Sequence, residues 1–166
     1  MFRRIEDFTA QWDNERKGTL ELLRTLTDES LSQEITPGGR TLGFLAWHLT
    51  ATIPEMLGKA GLKPEGPGEH DPMPSSATAI AAEYERASSS VNPDIRDRWS
   101  DDSLAEEVEM YGQKWTRGLA LEIFLRHEAH HRGQMTVLMR QAGLPLHGVY
   151  GPSREEWIAM GMEPMQ

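Results

Sequence analysis

The stretch from Thr116 to Ala142 sets the tightest limit on the fold. At about 100° per residue, Ala120, Phe124, Met135, Leu138 and Ala142 gather on one side of a helix, with Glu122, Arg126 and Arg140 on the other. Thr116 can cap the start through its hydroxyl, Gly143 offers a left-handed stop, and Pro145 bars continuation. Three further segments share the helical period. Residues 2–26 carry Phe2, Ile5, Phe8, Trp12, Leu20, Leu23 and Leu26, and residues 42–57 carry Phe44, Leu45, Leu49, Ile53 and Met56 behind a capping Thr41. A third helix is expected over about 76–90, closed by Asn92-Pro93. Ser153 with Glu156 reads as a capping box opening a short last helix. The segment 104–111 fits either one helical turn or an extended arm and stays unassigned. With no period-two runs, the expectation is an all-α fold, a four-helix bundle with a short extra C-terminal helix, forming a single domain over residues 1–166.

Composition narrows the chemistry. The chain has no cysteine, so disulfides, thiolate ligands and a protein-borne thiol nucleophile are excluded, and any metal must sit on nitrogen or oxygen. A formal charge of -9, with no Lys/Arg run, argues against nucleic acid and anionic membranes as partners. The first residues hold no apolar signal-peptide core, and no run approaches the roughly 18 apolar residues of a membrane span, so a cytoplasmic location is expected.

On the same helical wheel His131 falls at the apolar centre of the long helix. His127 lies about 40° away, one turn earlier, while His130 lies about 100° off at the flank. A buried histidine is commonly a core side chain hydrogen-bonded to a carbonyl, and for one alone that reading would stand. Two on one face, one turn apart, carry a doubled desolvation cost and repel when protonated, which a shared cation removes. The third donor must come from another helix. His48 is the remaining histidine within a helical core segment, since His70 sits in the loop 63–74 and His147 follows Pro145. It lies at the edge of its stripe, facing either a neighbouring helix or the surface.

Polar neighbours qualify as supports. Glu128 and Gln134, each about 60° from the apolar centre, can orient an imidazole or reach a metal-bound water. Glu55, two turns beyond His48, can do likewise or remain a solvated acid. Arg132 reads as a surface or interhelical ion-pair partner, and Trp115 as a core plug.

The run His127-Glu128-Ala129-His130-His131-Arg132-Gly133-Gln134-Met135, with a helix-two histidine before it and Gly143-Leu144-Pro145 and Tyr150-Gly151-Pro152-Ser153 after it, resembles the DinB/YfiT-like family of metalloenzymes over nearly the whole chain. In H-x-x-x-H-R-G-Q a metal pair, a small residue for close helix packing and a polar supporting side chain occur together. The resemblance implies a four-helix bundle with one divalent ion, zinc or nickel, on His48, His127 and His131, with His130 as a non-ligating neighbour. It also implies homodimers, and an apolar Met160, Met162 and Met165 tail leans the same way. Some members are thiol transferases or thiol-dependent isomerases that use low-molecular-weight thiols. The loop 63–74, with Pro64, Gly66, Pro67, Gly68, Pro72 and Pro74, departs from the family pattern and can border the site.

Three functions compete. The first is a metal-dependent enzyme, a hydrolase or thiol transferase, whose ion keeps an open position and activates water or an external thiol toward a small-molecule substrate. The second is a non-catalytic metal-binding or small-molecule-sensing bundle, and the third a structural protein with merely hydrogen-bonded histidines. Metal content separates the third from the others.

Overall fold

Thr116 caps the long helix as its hydroxyl implies: Oγ1 accepts the N–H of Leu119 at 3.2 Å, and Gly143 closes the far end with φ 74°. The computed structural model describes residues 1–68 and 70–164. In chain order its elements are α1 (Ile5–Thr25), α2 (Leu42–Lys59), α3 (Ala77–Arg98), a hairpin of β1 (Glu107–Met110) and β2 (Gln113–Thr116), α4 (Arg117–Gln141) and α5 (Arg154–Ala159). Short 3-10 turns occupy Glu29–Ser32 and Asp101–Ala105. Four substantial helices and a minimal sheet make an all-α architecture, as the periodicity implies.

α2 packs chiefly against α4 and α3, and α1 against α3 and α4. Their buried stripes meet in one core. Trp12 of α1 is fully buried, lies 4.9 Å from the Phe124 ring of α4, and donates its indole N–H to the Ser88 carbonyl of α3 at 3.0 Å. Three helices are thus joined by one side chain whose polar atom is satisfied. Thr41 and Ser76 cap α2 and α3 through the N–H groups of Phe44 and Ala79, and Ser153 and Glu156 form the reciprocal box of α5.

One expectation fails. α3 does not stop at Asn92-Pro93 but continues to Arg98. A proline inside a helix forfeits one backbone bond and costs about 3 kcal/mol. Beyond it, however, Ile95 is fully buried on the face that also buries Tyr84, Ala87 and Val91, and Asn92 donates to the Thr9 carbonyl of α1 at 3.3 Å. Tertiary burial wins over the local break. The segment left open resolves as the extended arm: residues 101–105 form a turn, and 107–110 pair antiparallel with 113–116 in the register Val108 to Trp115. Tyr111 and Gly112, with φ 54° and 77°, give the left-handed pair that a tight hairpin turn needs. Trp115 packs against the core from this hairpin and stacks edge-on with Tyr111.

Met160 and Met162 are exposed on the C-terminal tail, and Met165 lies outside the described residues. Among the described residues, no helix is long and apolar enough to cross a membrane.

Candidate metal centre

The antiparallel packing of α2 on α4 brings His48 opposite His127 and His131. The Nε2 atoms of His48 and His127 stand 3.2 Å apart, and one ring nitrogen of each of the three residues lies within 4.8 Å of the others. Ring centroids are 4.4 Å apart for His127 and His131 and 4.5 Å for His48 and His131. Among the described residues no carboxylate is hydrogen-bonded to any of the three. A single N–H···N bond can join one pair, but it leaves the third imidazole facing the cluster unserved. One cation serves all three. Zinc–nitrogen bonds of about 2.1 Å in a tetrahedral site separate nitrogens by about 3.4 Å, close to the 3.2 Å between the His48 and His127 nitrogens. The donor set therefore fits a divalent ion.

Gln134 organises the rim. Its Oε1, which can only accept, lies 2.7 Å from His131 Nδ1, so that nitrogen carries the proton and Nε2 keeps a free lone pair. The amide nitrogen of Gln134 lies 3.2 Å from Nε2 of His130, which is exposed and outside the cluster. His127 Nδ1 is buried without a hydrogen-bond partner among the described residues. The Phe44 ring stacks on His48 at 5.8 Å, and the Arg40 guanidinium lies over Phe44 at 5.3 Å.

Burial, followed by the neighbouring His131, His48, His130 and Arg40 charges, holds His127 down at about 4. Burial lowers His48 as well, and lowers His131 against the opposing pull of its Gln134 bond. All three are neutral at neutral pH, the state that ligation requires. The metal-free protein should feel this directly. Between an unfolded value near 6.5 and the depressed folded value, the unfolded chain takes up protons that the folded chain refuses. Stability in a chelator should therefore decline as pH falls from about 6.5 toward 4. Urea unfolding at stepped pH measures it, and a flat profile through that window would contradict the assignment.

The other singled-out residues are placed differently. Glu128 does not support an imidazole: its Oε1 accepts from Thr19 at 2.7 Å and Tyr84 at 2.6 Å, fully inside the core, while Oε2 has no partner among the described residues. Glu55 is drawn to the hairpin, accepting from the Tyr111 hydroxyl at 2.9 Å and pairing with Lys59 at 3.3 Å. Gly133 serves no close packing, since a Cβ there meets nothing within 4 Å. Arg132 is an interhelical partner, and a buried one: it donates to Glu15 Oε2 of α1 at 2.7 Å, to Thr19 at 3.2 Å and to the Tyr150 hydroxyl at 2.8 Å. Glu15 escaped the sequence reading although Trp12, Glu15, Thr19 and Leu22 share one helix face, a spacing that foretells its burial. The loop over residues 63–74 touches α2 beside the site, where Asp71 accepts from the Trp47 indole at 3.2 Å.

A helical bundle whose paired inner faces gather three neutral imidazoles defines a class of histidine-site bundle proteins. The chain belongs to the DinB family, whose profile matches residues 1–164. It is 44% identical over 163 residues to the uncharacterized protein YrdA of Bacillus subtilis strain 168, covering 98% of each chain. A DinB-like protein of Bacillus cereus ATCC 10987 superposes with a TM-score of 0.86 at 43% identity, over 90% of this chain and 100% of that one. The DinB-like YjoA of Bacillus subtilis, at 17% identity and a TM-score of 0.65 over 84% of this chain and 96% of that one, shares the fold.

Proposed function

We propose that His48, His127 and His131 hold one divalent ion, zinc or nickel, and that the protein is a metal-dependent enzyme acting on a small molecule with water or a low-molecular-weight thiol as nucleophile. The observation that carries this reading is the convergence of three neutral imidazoles from two helices, with no carboxylate among the described residues hydrogen-bonded to them. When bound, such an ion supplies a Lewis acid that lowers the pKa of a water or thiol brought to it. The chain's own groups do the rest. Packing of α2 on α4 fixes the donors, Gln134 keeps the His131 lone pair free, and the absence of cysteine means that a thiol nucleophile comes from outside. Membership of a metal-associated family supports the ion and leaves the reaction to experiment.

The test is metal analysis of untagged protein, followed by assays on electrophiles with added thiols and on esters and amides without them. Less than about a tenth of an ion per chain after zinc or nickel supplementation would sink the metal reading. Full occupancy without turnover in either assay would favour a metal-binding or sensing role. Gln134→Ala should weaken metal affinity by about 10–100-fold, the usual effect of losing a group that orients a ligand, with helicity unchanged. Unaltered affinity in that variant would show that the carboxamide is idle.

A further inference from the structure

One helical turn from the histidines, toward the start of α2 and the end of α4, the two helices part into a cleft of about 340 Å³ lined by Ile35, Arg40, Leu45, Gln134, Val137 and Leu138. Leu45 precedes His48 by three residues, and Gln134 is the residue bonded to His131. The cleft and the histidine cluster thus share a wall. Its size is in the range of small-ligand sites, and its surface is unusually apolar for one open to water: Ile35 is 60% exposed and Val137 47%.

Arg40 is the cleft's single charged group. In a chain with 26 acidic and 17 basic side chains, an arginine readily finds a carboxylate, and those of α1, α3 and α4 mostly do. Arg40 makes no ion pair and no hydrogen bond among the described residues; its guanidinium lies over Phe44 alone. A planar fork of five donors, held beside an apolar trough and left unpaired, matches a carboxylate on an apolar body.

We infer that this cleft binds a small carboxylate with an apolar chain or ring, its head on Arg40 and its body along Ile35, Leu45, Val137 and Leu138, within one turn of the three histidines. This names the substrate class for the proposed metal site and rests on that reading for the reaction, but not for binding.

The test uses octanoate and octan-1-ol as probes, titrated calorimetrically into the full chain, both zinc-loaded and EDTA-treated. Octanoate should bind about tenfold or more tightly than the alcohol in both forms, the usual reach of a charge-assisted hydrogen-bonded pair. Arg40→Gln should erase that difference while leaving zinc content unchanged. Val137→Glu, which puts a charge against the ligand's apolar body and offers Arg40 a competing carboxylate, should weaken octanoate by a similar factor. Equal binding of acid and alcohol, or a preference that survives in Arg40→Gln, would overturn the proposal. So would a preference that vanishes with EDTA, because the carboxylate would then sit on the ion. Failure of the protein to retain zinc sinks the metal reading alone, since the acid-over-alcohol preference of the metal-free protein is measured separately.

Discussion

His127→Ala and His131→Ala should each lose metal affinity by more than about 100-fold, while His130→Ala should keep its ion. Even the loss of an outer group that orients a ligand costs about 10–100-fold, and these variants remove a donor itself. The distinction among the three residues comes from helix geometry. His127 and His131 are one turn apart on the face that α2 covers, and their rings stand 4.4 Å apart beside His48. His130 points to solvent, with Nε2 against the Gln134 amide and not in the cluster. The measurement is metal content after dialysis against zinc or nickel, with thermal unfolding in parallel. Because an ion that binds only the folded chain raises its stability, the metal-induced rise in Tm should survive in His130→Ala alone. An ion lost from His130→Ala and retained by His131→Ala would require a site rebuilt on His127 and His130.

Glu15→Ala should destabilise the protein by about 3–5 kcal/mol, the cost of stranding one member of a buried ion pair. Arg132 is 3% exposed and Glu15 4%, so neither charge recovers water when its partner leaves. Against a total stability of about 5–15 kcal/mol, such a loss threatens folding at physiological temperature. The pair is worth less than its breakage suggests. A double variant, Glu15→Leu with Arg132→Met, removes both charges together and should recover much of the loss. Chemical denaturation reads both. A Glu15→Ala protein within about 1 kcal/mol of the parent would mean that Arg132 finds other partners, for which Tyr150 and Thr19 are the candidates.

What the sequence disclosed follows the range of the forces involved. Caps and stops act over three or four residues, and Thr41, Thr116, Gly143 and the Ser153–Glu156 box all stand where local chemistry puts them. The histidine cluster was legible because two members share one helix and their angular relation is fixed by its pitch. Pro93 misled because its local penalty is set against burial contributed by α1, whose Thr9 lies 83 residues from Asn92 in sequence. The hairpin was hidden by its brevity: four-residue strands offer two alternations at most, and the Tyr111-Gly112 turn is the clearer mark. Glu128 was assigned by angle to the metal, yet angle fixes a direction and not a partner. Tyr84 and Thr19 approach from α3 and α1 and claim its oxygen first. Arg40 went unnoticed, and Phe44, read as part of the apolar stripe of α2, is 45% exposed beside His48, for the same reason: their importance arises from what α4 places across the cleft.

Successive turns of α4 carry two unlike pairs. His127 and His131 face α2, whereas Glu128 and Arg132, one residue on in each case, are bound to Thr19, Tyr84 and Glu15 in α1 and α3. The helix is thereby fixed in roll as well as in position, because rotating it about its axis to spread the histidines would tear the buried bonds on its other flank. Diversifying this site by random mutagenesis will accordingly meet an asymmetry: Gly133, where an added Cβ meets nothing within 4 Å among the described residues, tolerates change, while positions 128 and 132, which touch no ligand, behave as though they did.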